Sequence, residues 1–146
     1  MSNFTPQNPN YKQNVTNIFD TANFISDLGI KLIDLGAGWV ETELRIQPKH
    51  LQQNQLVHAG VQATMADHTA GATAGTLIAE GEYILTVEFK INLLRPAIGE
   101  RLFCRADMLK AGKQFSIVES EVYMVNDNQR KLASKATVTL AVLKQS

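Results

Sequence analysis

The chain of 146 residues is long enough to bury the core of one domain, and 45% of its residues are hydrophobic, as in ordinary soluble proteins. Its 14 basic and 14 acidic residues cancel, which excludes a global charge that attracts nucleic acid or an anionic membrane. The single cysteine, Cys104, excludes an intrachain disulfide and a multi-cysteine zinc site, and it favours a reducing, cytoplasmic setting. We expect neither a signal peptide nor a membrane-spanning segment.

The first residues are polar and rich in Asn, Gln and Pro, so we predict a flexible segment over residues 1–14 and a single domain over residues 15–146. From Val15 to Leu28, apolar residues recur mostly at spacings of three and four, which predicts a short amphipathic helix. Gly29 follows directly and is expected to end that helix.

The next stretch has the alternation and the turn residues of a β-hairpin. Apolar and charged residues alternate over much of 30–46, and the Gly-Ala-Gly sequence at 36–38 supplies the turn. Pro48 is expected to end the second strand. A polar connection over 49–57 then leads into a segment with a different composition.

Residues 58–79 are predicted to form one long, buried helix. Thirteen of the 18 residues from Ala59 to Thr76 are Ala, Gly or Thr, so the segment has little intrinsic helical stability. Such a helix must be stabilised by tertiary packing, and its small side chains let the surrounding strands approach its axis closely.

Four strands are predicted after Gly81, joined by short turns as in an antiparallel meander. Three of them cover 99–109, 114–125 and 130–143. The first, over 83–93, alternates and is expected to bury the face formed by Tyr83, Leu85, Val87, Phe89, Ile91 and Leu93. One long helix is available to cover the apolar face of the sheet. We therefore predict an α+β domain in which a curved antiparallel sheet of about six strands wraps around a central helix.

Asp67 is the most informative residue for chemistry, because it lies in the interior of the helix that is predicted to be buried. A buried carboxylate needs a partner, a wet cleft or a subunit interface. Two interpretations stay open at this point: a hydrogen-bonded structural aspartate and a functional group in a site.

His58 precedes the long helix, whose first turn leaves the N–H groups of Ala59 and Gly60 without partners inside the helix. Such donors favour a negative charge or a polarised carbonyl oxygen, which predicts an oxyanion site. The alternative is that His58 only caps the helix or packs against a strand. His58 and Asp67 are expected about 13 Å apart along one helix, too far for a direct dyad within one chain.

Other polar residues give weaker signals. Asn54 lies in the loop before the helix and Thr86 lies on the polar side of a predicted strand, and ordinary turn or strand structure also explains both. His50 and His68 have no partners at metal-ligand spacing, so we predict no metal site. Cys104 alternates with apolar neighbours and is expected in the core.

Two stretches together resemble a known family. They are LVHAGVQATMADHTAG (56–71) and TVEFKINLLRPAIGERLFCRADMLKAGK (86–113). They are similar to the hotdog-fold acyl-CoA thioesterases of the phenylacetate-degradation type, and the resemblance covers roughly Asn54 to Leu143. It implies a long helix inside a curved antiparallel sheet, homodimers that often pair into tetramers, and active sites shared across the dimer interface.

The resemblance also implies roles for individual residues. The N–H of Ala59, helped by Gly60, is expected to polarise the thioester carbonyl. Asp67 of a second chain is expected to activate water as a general base or to attack as a nucleophile. The remaining implied residues orient water or the carbonyl, line the pocket or support the loop: Asn54, Gln55, Thr86 and His58. The sequence departs from the family at Ala59, where glycine is usual, and at Gln55-Leu56, which lacks the usual loop glycine.

The implied function is hydrolysis of an acyl-CoA or aryl-acyl-CoA thioester to a free acid and CoA, without a metal or organic cofactor. A non-catalytic acyl-CoA binding or sensing module is the alternative, and Asp67 favours the hydrolase over it. A hotdog dehydratase or hydratase is a third interpretation, which the placement of Asp67 and His68 on different helical faces disfavours. No nucleic-acid or membrane partner is expected.

Overall fold

The computed structural model describes residues 3–146. Its elements in chain order are α1 (Tyr11–Thr21), α2 (Asn23–Leu28), β1 (Lys31–Gly36), β2 (Trp39–Arg45), α3 (Ala59–Gly75), β3 (Glu82–Leu93), β4 (Arg101–Ala111), β5 (Phe115–Asn126) and β6 (Gln129–Lys144), with a 3-10 turn at Pro48–His50 before α3. The strands form one antiparallel sheet in the order β1-β2-β4-β5-β6-β3, which curves around α3. This arrangement confirms the predicted α+β fold.

The helix α3 is enclosed by the sheet, because it packs against β2, β3, β4, β5 and β6. Ten of its 17 residues are buried. Its buried threonines keep their hydrogen bonds, since the hydroxyls of Thr69 and Thr73 donate to carbonyl oxygens one turn earlier at 2.7 and 2.8 Å. The central helix is therefore held by packing, as its composition predicts, and it ends at Gly75 rather than at residue 79.

The core includes Cys104 of β4, which is fully buried as predicted. Burial raises the pKa of its thiol to about 12, so the reactive thiolate is strongly disfavoured at neutral pH. The thiol lies near the buried hydroxyls of Thr42 and Thr69, whose oxygens are 2.8 Å apart. Cys104 therefore belongs to the packing between the sheet and α3.

The predicted single helix over 15–28 is wrong in one respect, since the chain breaks at Ala22 into α1 and α2. Ala22 has φ −82° and ψ 92°, an extended conformation that ends the first run of helical hydrogen bonds. The break turns α2 so that Ile25 is buried while Phe24 is 64% exposed. Gly29 ends α2 as predicted, in the left-handed conformation with φ +94°.

The structure also corrects part of the flexible segment predicted for residues 1–14. Helix α1 begins at Tyr11, and Asn8 is buried. The Gln7 side chain donates to the Leu77 carbonyl oxygen at 2.9 Å, which attaches this part of the chain to the domain just after α3. The polar composition of this segment did not predict these contacts. Asn and Gln side chains can nevertheless attach a segment to a domain, because they hydrogen-bond to backbone groups. Residues 1 and 2 lie outside the described residues.

The prediction that the strand 83–93 buries one apolar face is wrong for a single chain. Leu85 is 53% exposed and Val87 is 56% exposed, because β3 is an edge strand whose single neighbour is β6. A bulge between Thr86 and Glu88 also shifts the register. The half-buried side chains that pack against the core are Ile84 and Ile91, which strict alternation places on opposite faces.

Candidate active site

The loop that leads into α3 is held by the buried side chain of His50. Its Nδ1 accepts a hydrogen bond from the Gln47 N–H at 2.9 Å, so its Nε2–H donates to the Leu28 carbonyl oxygen, at 2.7 Å. An isolated antiparallel bridge between Leu51 and Val57 then closes the loop. These contacts fix the path of the chain into the first turn of α3.

At the start of α3, His58 caps the helix: its Nδ1 accepts a hydrogen bond from the Gly60 N–H at 2.8 Å. The Ala59 N–H has no acceptor within the part of the chain that the structure describes. Ala59 is the first helical residue and does not have a positive φ, so its methyl group causes no backbone strain there. The helix start thus presents one unpaired donor, from Ala59.

Ala59 lines a cavity of about 330 Å³ between the helix start and the end of β3. Most of its wall is apolar, and its polar side chains are Gln52, Gln62 and Arg95. Gln62 is only 3% exposed, and its amide oxygen has no hydrogen-bond partner among the described residues. Because Ala59 lines this cavity and its N–H is unpaired among the described residues, a carbonyl oxygen that enters the cavity can accept a hydrogen bond from it.

Asp67 lies two turns further along α3 and is half-buried. The Thr86 hydroxyl of β3 donates to Asp67 Oδ1 at 2.6 Å, so the two predicted residues meet. Both line a second cavity, of about 520 Å³, that is bounded by α1, α3 and β3. This contact orients the carboxylate, since one oxygen is held by Thr86 while Oδ2 has no partner within residues 3–146.

One chain does not bring all the predicted site residues together. Ala59 and Asp67 line different cavities and are eight residues apart along α3, which is about 12 Å of helical rise. Asn54 and Gln55 are exposed in the loop and line neither cavity. The Asn54 N–H instead contacts Gln52 Oε1, and Gln55 has a left-handed backbone with φ +67°.

The matching family model shows the family to which this fold belongs. Residues 54–131, which include both Ala59 and Asp67, match the model described as the thioesterase superfamily. The chain belongs to this family. The resemblance seen in the sequence is thereby confirmed, and the protein is a thioester hydrolase.

Individual relatives of this thioesterase agree with the family assignment. A thioesterase family protein from Silicibacter pomeroyi is 33% identical, with a TM-score of 0.90 over 92% of this chain and 98% of that one. The 1,4-dihydroxy-2-naphthoyl-CoA hydrolase of Listeria monocytogenes is 25% identical over 81% of this chain and 94% of the relative. The E. coli PaaI protein from the phenylacetic acid degradation operon shares the fold, with a TM-score of 0.83, 20% identity and coverage of 96% and 98%.

Several polar residues of the thioesterase cavities were not predicted as site residues, among them Gln52, Gln62 and His68. Gln52 lies in a loop without periodicity, so only the folded path of the chain shows that it, rather than Asn54, faces the helix start. Gln62 is three residues after Ala59, and this helical spacing places both on one face of α3. Gln62 could have been predicted as a site residue from this spacing.

Residues 3–146 of this thioesterase contain neither a cluster of metal ligands nor a helix that could cross a membrane. No group of three or more His, Cys, Asp or Glu side chains is arranged there to hold a metal ion. No helix in that range has the length and apolar character needed to cross a membrane.

Proposed function

We propose that the thioesterase hydrolyses an acyl-CoA thioester to a free acid and CoA at a site shared by two copies of the chain. The observation that carries this proposal is the Thr86–Asp67 hydrogen bond, which orients a carboxylate at a cavity while a separate cavity holds the unpaired Ala59 N–H. The Listeria relative that hydrolyses a naphthoyl-CoA supports a CoA thioester as the substrate class.

Asp67 acts as the general base in this proposal. Thr86 holds Oδ1, so Oδ2 is left to take a proton from water as the water oxygen bonds to the thioester carbonyl carbon. The carbon–sulfur bond then breaks, and the thiolate of CoA leaves and takes up a proton. The alternative is direct attack by the Asp67 carboxylate, which forms an acyl-enzyme anhydride that water hydrolyses.

Ala59 stabilises the negative charge that develops on the thioester carbonyl oxygen. Its N–H at the positive end of the α3 dipole can donate to the carbonyl oxygen, whose negative charge grows as water adds. The Gly60 N–H does not contribute while His58 accepts its hydrogen bond. Gln52, which lines the same cavity, takes the positioning role that the sequence assigned to Asn54 or Gln55.

A second copy completes the site by pairing along β3. This strand has a free edge, and several of its apolar side chains are exposed, which is the usual signature of a strand that pairs with another chain. A twofold-symmetric pair would bring Asp67 of each copy towards Ala59 of the other. We propose a homodimer as the catalytic unit, with tetramers formed from two dimers.

We also propose that residues 15–146 form a single domain and that the protein works in a reducing, cytoplasmic compartment. One hydrophobic core cluster joins Val15 of α1 to Leu140 of β6, which supports the single domain. The unpaired Cys104 supports the reducing compartment.

Thiol release from a panel of acyl-CoA thioesters tests the activity, and Asp67→Asn tests the mechanism. The amide cannot accept a proton, so we expect kcat/KM to fall about 10²–10⁴-fold while the fold is kept. Asp127→Asn is the matched control, because Asp127 is exposed in the β5–β6 turn with φ +48°, a conformation that Asn also tolerates.

Three outcomes separate the alternatives. Normal turnover by Asp67→Asn contradicts the role of Asp67, and binding of acyl-CoA without thiol release by the native protein indicates a sensing module. In single-turnover hydrolysis in ¹⁸O-water, general-base catalysis puts ¹⁸O into the acid, whereas attack by Asp67 followed by opening of the anhydride at the aspartyl carbonyl leaves the acid unlabelled and puts ¹⁸O into Asp67.

A further inference from the structure

The cavity beside Asp67 is an elongated groove along α3. Its lining on this side runs along α3 from Asp67 to Gly75, which is about 12 Å of helical rise, and continues to Ile78 beyond the end of the helix. Ile18 of α1 and Ile84 of β3 supply apolar walls, and Glu82 lies towards the Ile78 end. An extended group attached to a carbonyl at Asp67 can therefore lie in the groove.

His68 is the one polar side chain that lies beside Asp67 on α3 and also lines this groove. Neither of its ring nitrogens hydrogen-bonds to a described residue, and Nε2 is enclosed. Its ring packs edge-to-face against Phe19, with centroids 4.7 Å apart and an angle of 86° between the planes. This contact holds the imidazole in place but satisfies neither nitrogen by an ordinary hydrogen bond.

The protonation of His68 fits a neutral ligand. Desolvation by burial lowers the pKa of His68, against the opposing effect of the adjacent Asp67 carboxylate. The imidazole is therefore neutral at neutral pH, and it carries one N–H donor and one nitrogen acceptor. Nε2 is enclosed and Nδ1 is not, so Nδ1 is the nitrogen that a ligand in the groove can reach, and it has no partner within residues 3–146.

We propose that the groove receives the acyl group and that His68 hydrogen-bonds to a hydroxyl or oxo oxygen close to the thioester carbonyl. This inference rests on the proposed hydrolysis at Asp67 and names its substrate class. His68 is adjacent to Asp67, so the oxygen lies within the first few atoms beyond the carbonyl, as in a 3-hydroxyacyl or 3-oxoacyl chain. The rest of the chain follows the apolar side chains of Ile18, Ile78 and Ile84, with polar side chains of α1 also lining the groove.

The test compares kcat/KM for octanoyl-CoA and 3-hydroxyoctanoyl-CoA, which differ by one hydroxyl group. We expect the native enzyme to prefer the hydroxylated substrate about tenfold or more, since a site built to pair a hydroxyl rejects the analogue that lacks it. His68→Leu removes the hydrogen bond and should bring the ratio close to one. His68→Gln keeps a donor and an acceptor on its amide and should retain most of the preference.

Several results overturn the inference. A native ratio near one, or the same ratio in the native enzyme and in His68→Leu, shows that His68 does not select the acyl group. If His68→Leu lowers kcat/KM by the same factor for both substrates, the side chain serves only to pack against Phe19. Hydrolysis of octanoyl-CoA in any of these cases leaves the proposed function intact, whereas failure to hydrolyse any acyl-CoA removes the proposed function itself.

A second measurement needs no variant and covers the case in which His68→Leu does not fold. The free acids octanoate and 3-hydroxyoctanoate are compared as competitive inhibitors of the native enzyme. We expect 3-hydroxyoctanoate to bind about tenfold more tightly, and equal inhibition contradicts the inference.

Discussion

Asp67 and His68 are sequence neighbours that line the same groove with different chemistry. Thr86 satisfies one oxygen of Asp67, so the carboxylate keeps its place without an ion pair. His68 is oriented by Phe19 and has no hydrogen-bond partner within residues 3–146. In the proposed mechanism the first residue acts at the reacting carbon, and the second binds an oxygen of the acyl group.

The burial of His68 has a consequence for stability against pH. Its pKa in the folded protein is lowered from 6.5, so the unfolded chain binds a proton more readily. His68 therefore opposes folding as the pH falls through 6.5 and below, and the penalty disappears above that range. We expect the free energy of unfolding in urea to be lower at pH 5.5 than at pH 7.5, and His68→Leu to reduce this difference. An unchanged difference in the variant contradicts the assignment.

Periodicity and family resemblance predicted Asp67, Thr86 and Ala59 as site residues, and the structure places Asp67 and Thr86 in contact and Ala59 at a separate cavity. The predicted loop residues Asn54 and Gln55 line neither cavity, while Gln52 lines the one at Ala59. A loop has no repeating geometry from which the direction of its side chains can be predicted.

At the scale of elements, α3 shows how a helix of weak propensity becomes the centre of a fold. Small residues let five strands pack against it, and buried threonines donate to the helix backbone instead of remaining unpaired. Ser120 of β5 adds a hydrogen bond from its hydroxyl to the Ala66 carbonyl oxygen at 2.8 Å. The helix and sheet are therefore joined by hydrogen bonds as well as by apolar contact.

The stability of the protein is expected to change in opposite directions when Gly29, at the end of α2, and Gly71, within α3, are each replaced by alanine. Gly29→Ala places a side chain at φ +94° and should lower the free energy of unfolding by about 1–2 kcal/mol. Gly71→Ala, in the middle of α3, should raise it by about 0.5–1 kcal/mol. The added Cβ meets a leucine methyl at 3.6 Å in the first case and at 3.8 Å in the second, so packing differs little. Urea unfolding measures both, and equal effects contradict the backbone explanation.

The sheet and its central helix were predicted from the sequence, whereas the break at Ala22 was missed and the burial of β3 was wrong. The composition of α3 and the alternation of the central strands specify a helix inside a sheet, and the structure contains both. The apolar alternation of β3 had the right period, yet its bulge and its edge position leave Leu85, Val87 and Phe89 exposed. The sequence pattern shows that these side chains are apolar, but it does not show whether they are buried within the chain or exposed on its surface.

At the scale of the whole molecule, β3 is one of the two edge strands of the sheet within residues 3–146. Its backbone groups lack a neighbour on one side, and the exposed apolar side chains lie along the same strand. Pairing of two such edges would extend the sheet across both copies and cover these side chains. Catalysis and association would then depend on the same strand, since β3 also carries Thr86.

Val87→Lys tests this dependence. A lysine on the β3 edge opposes pairing with a second strand, so we expect a monomer and loss of most thioester hydrolysis. Phe24→Lys is the matched control: Phe24 is 64% exposed on α2, and the substitution should leave both mass and activity unchanged. Light scattering gives the mass and thiol release gives the activity. A Val87→Lys monomer with full activity excludes a shared site.

The strand order has a further consequence for how the enzyme is made. β6 lies between β5 and β3, so within one chain β3 joins the sheet only through the strand that is synthesised last. A growing chain on the ribosome contains Thr86 and Asp67 long before residues 129–144 can anchor β3. Until then both edges of β3 lack a partner and its apolar side chains are uncovered, which makes the unfinished chain prone to aggregation. The contact between Thr86 and Asp67 is therefore among the last parts of this fold to form.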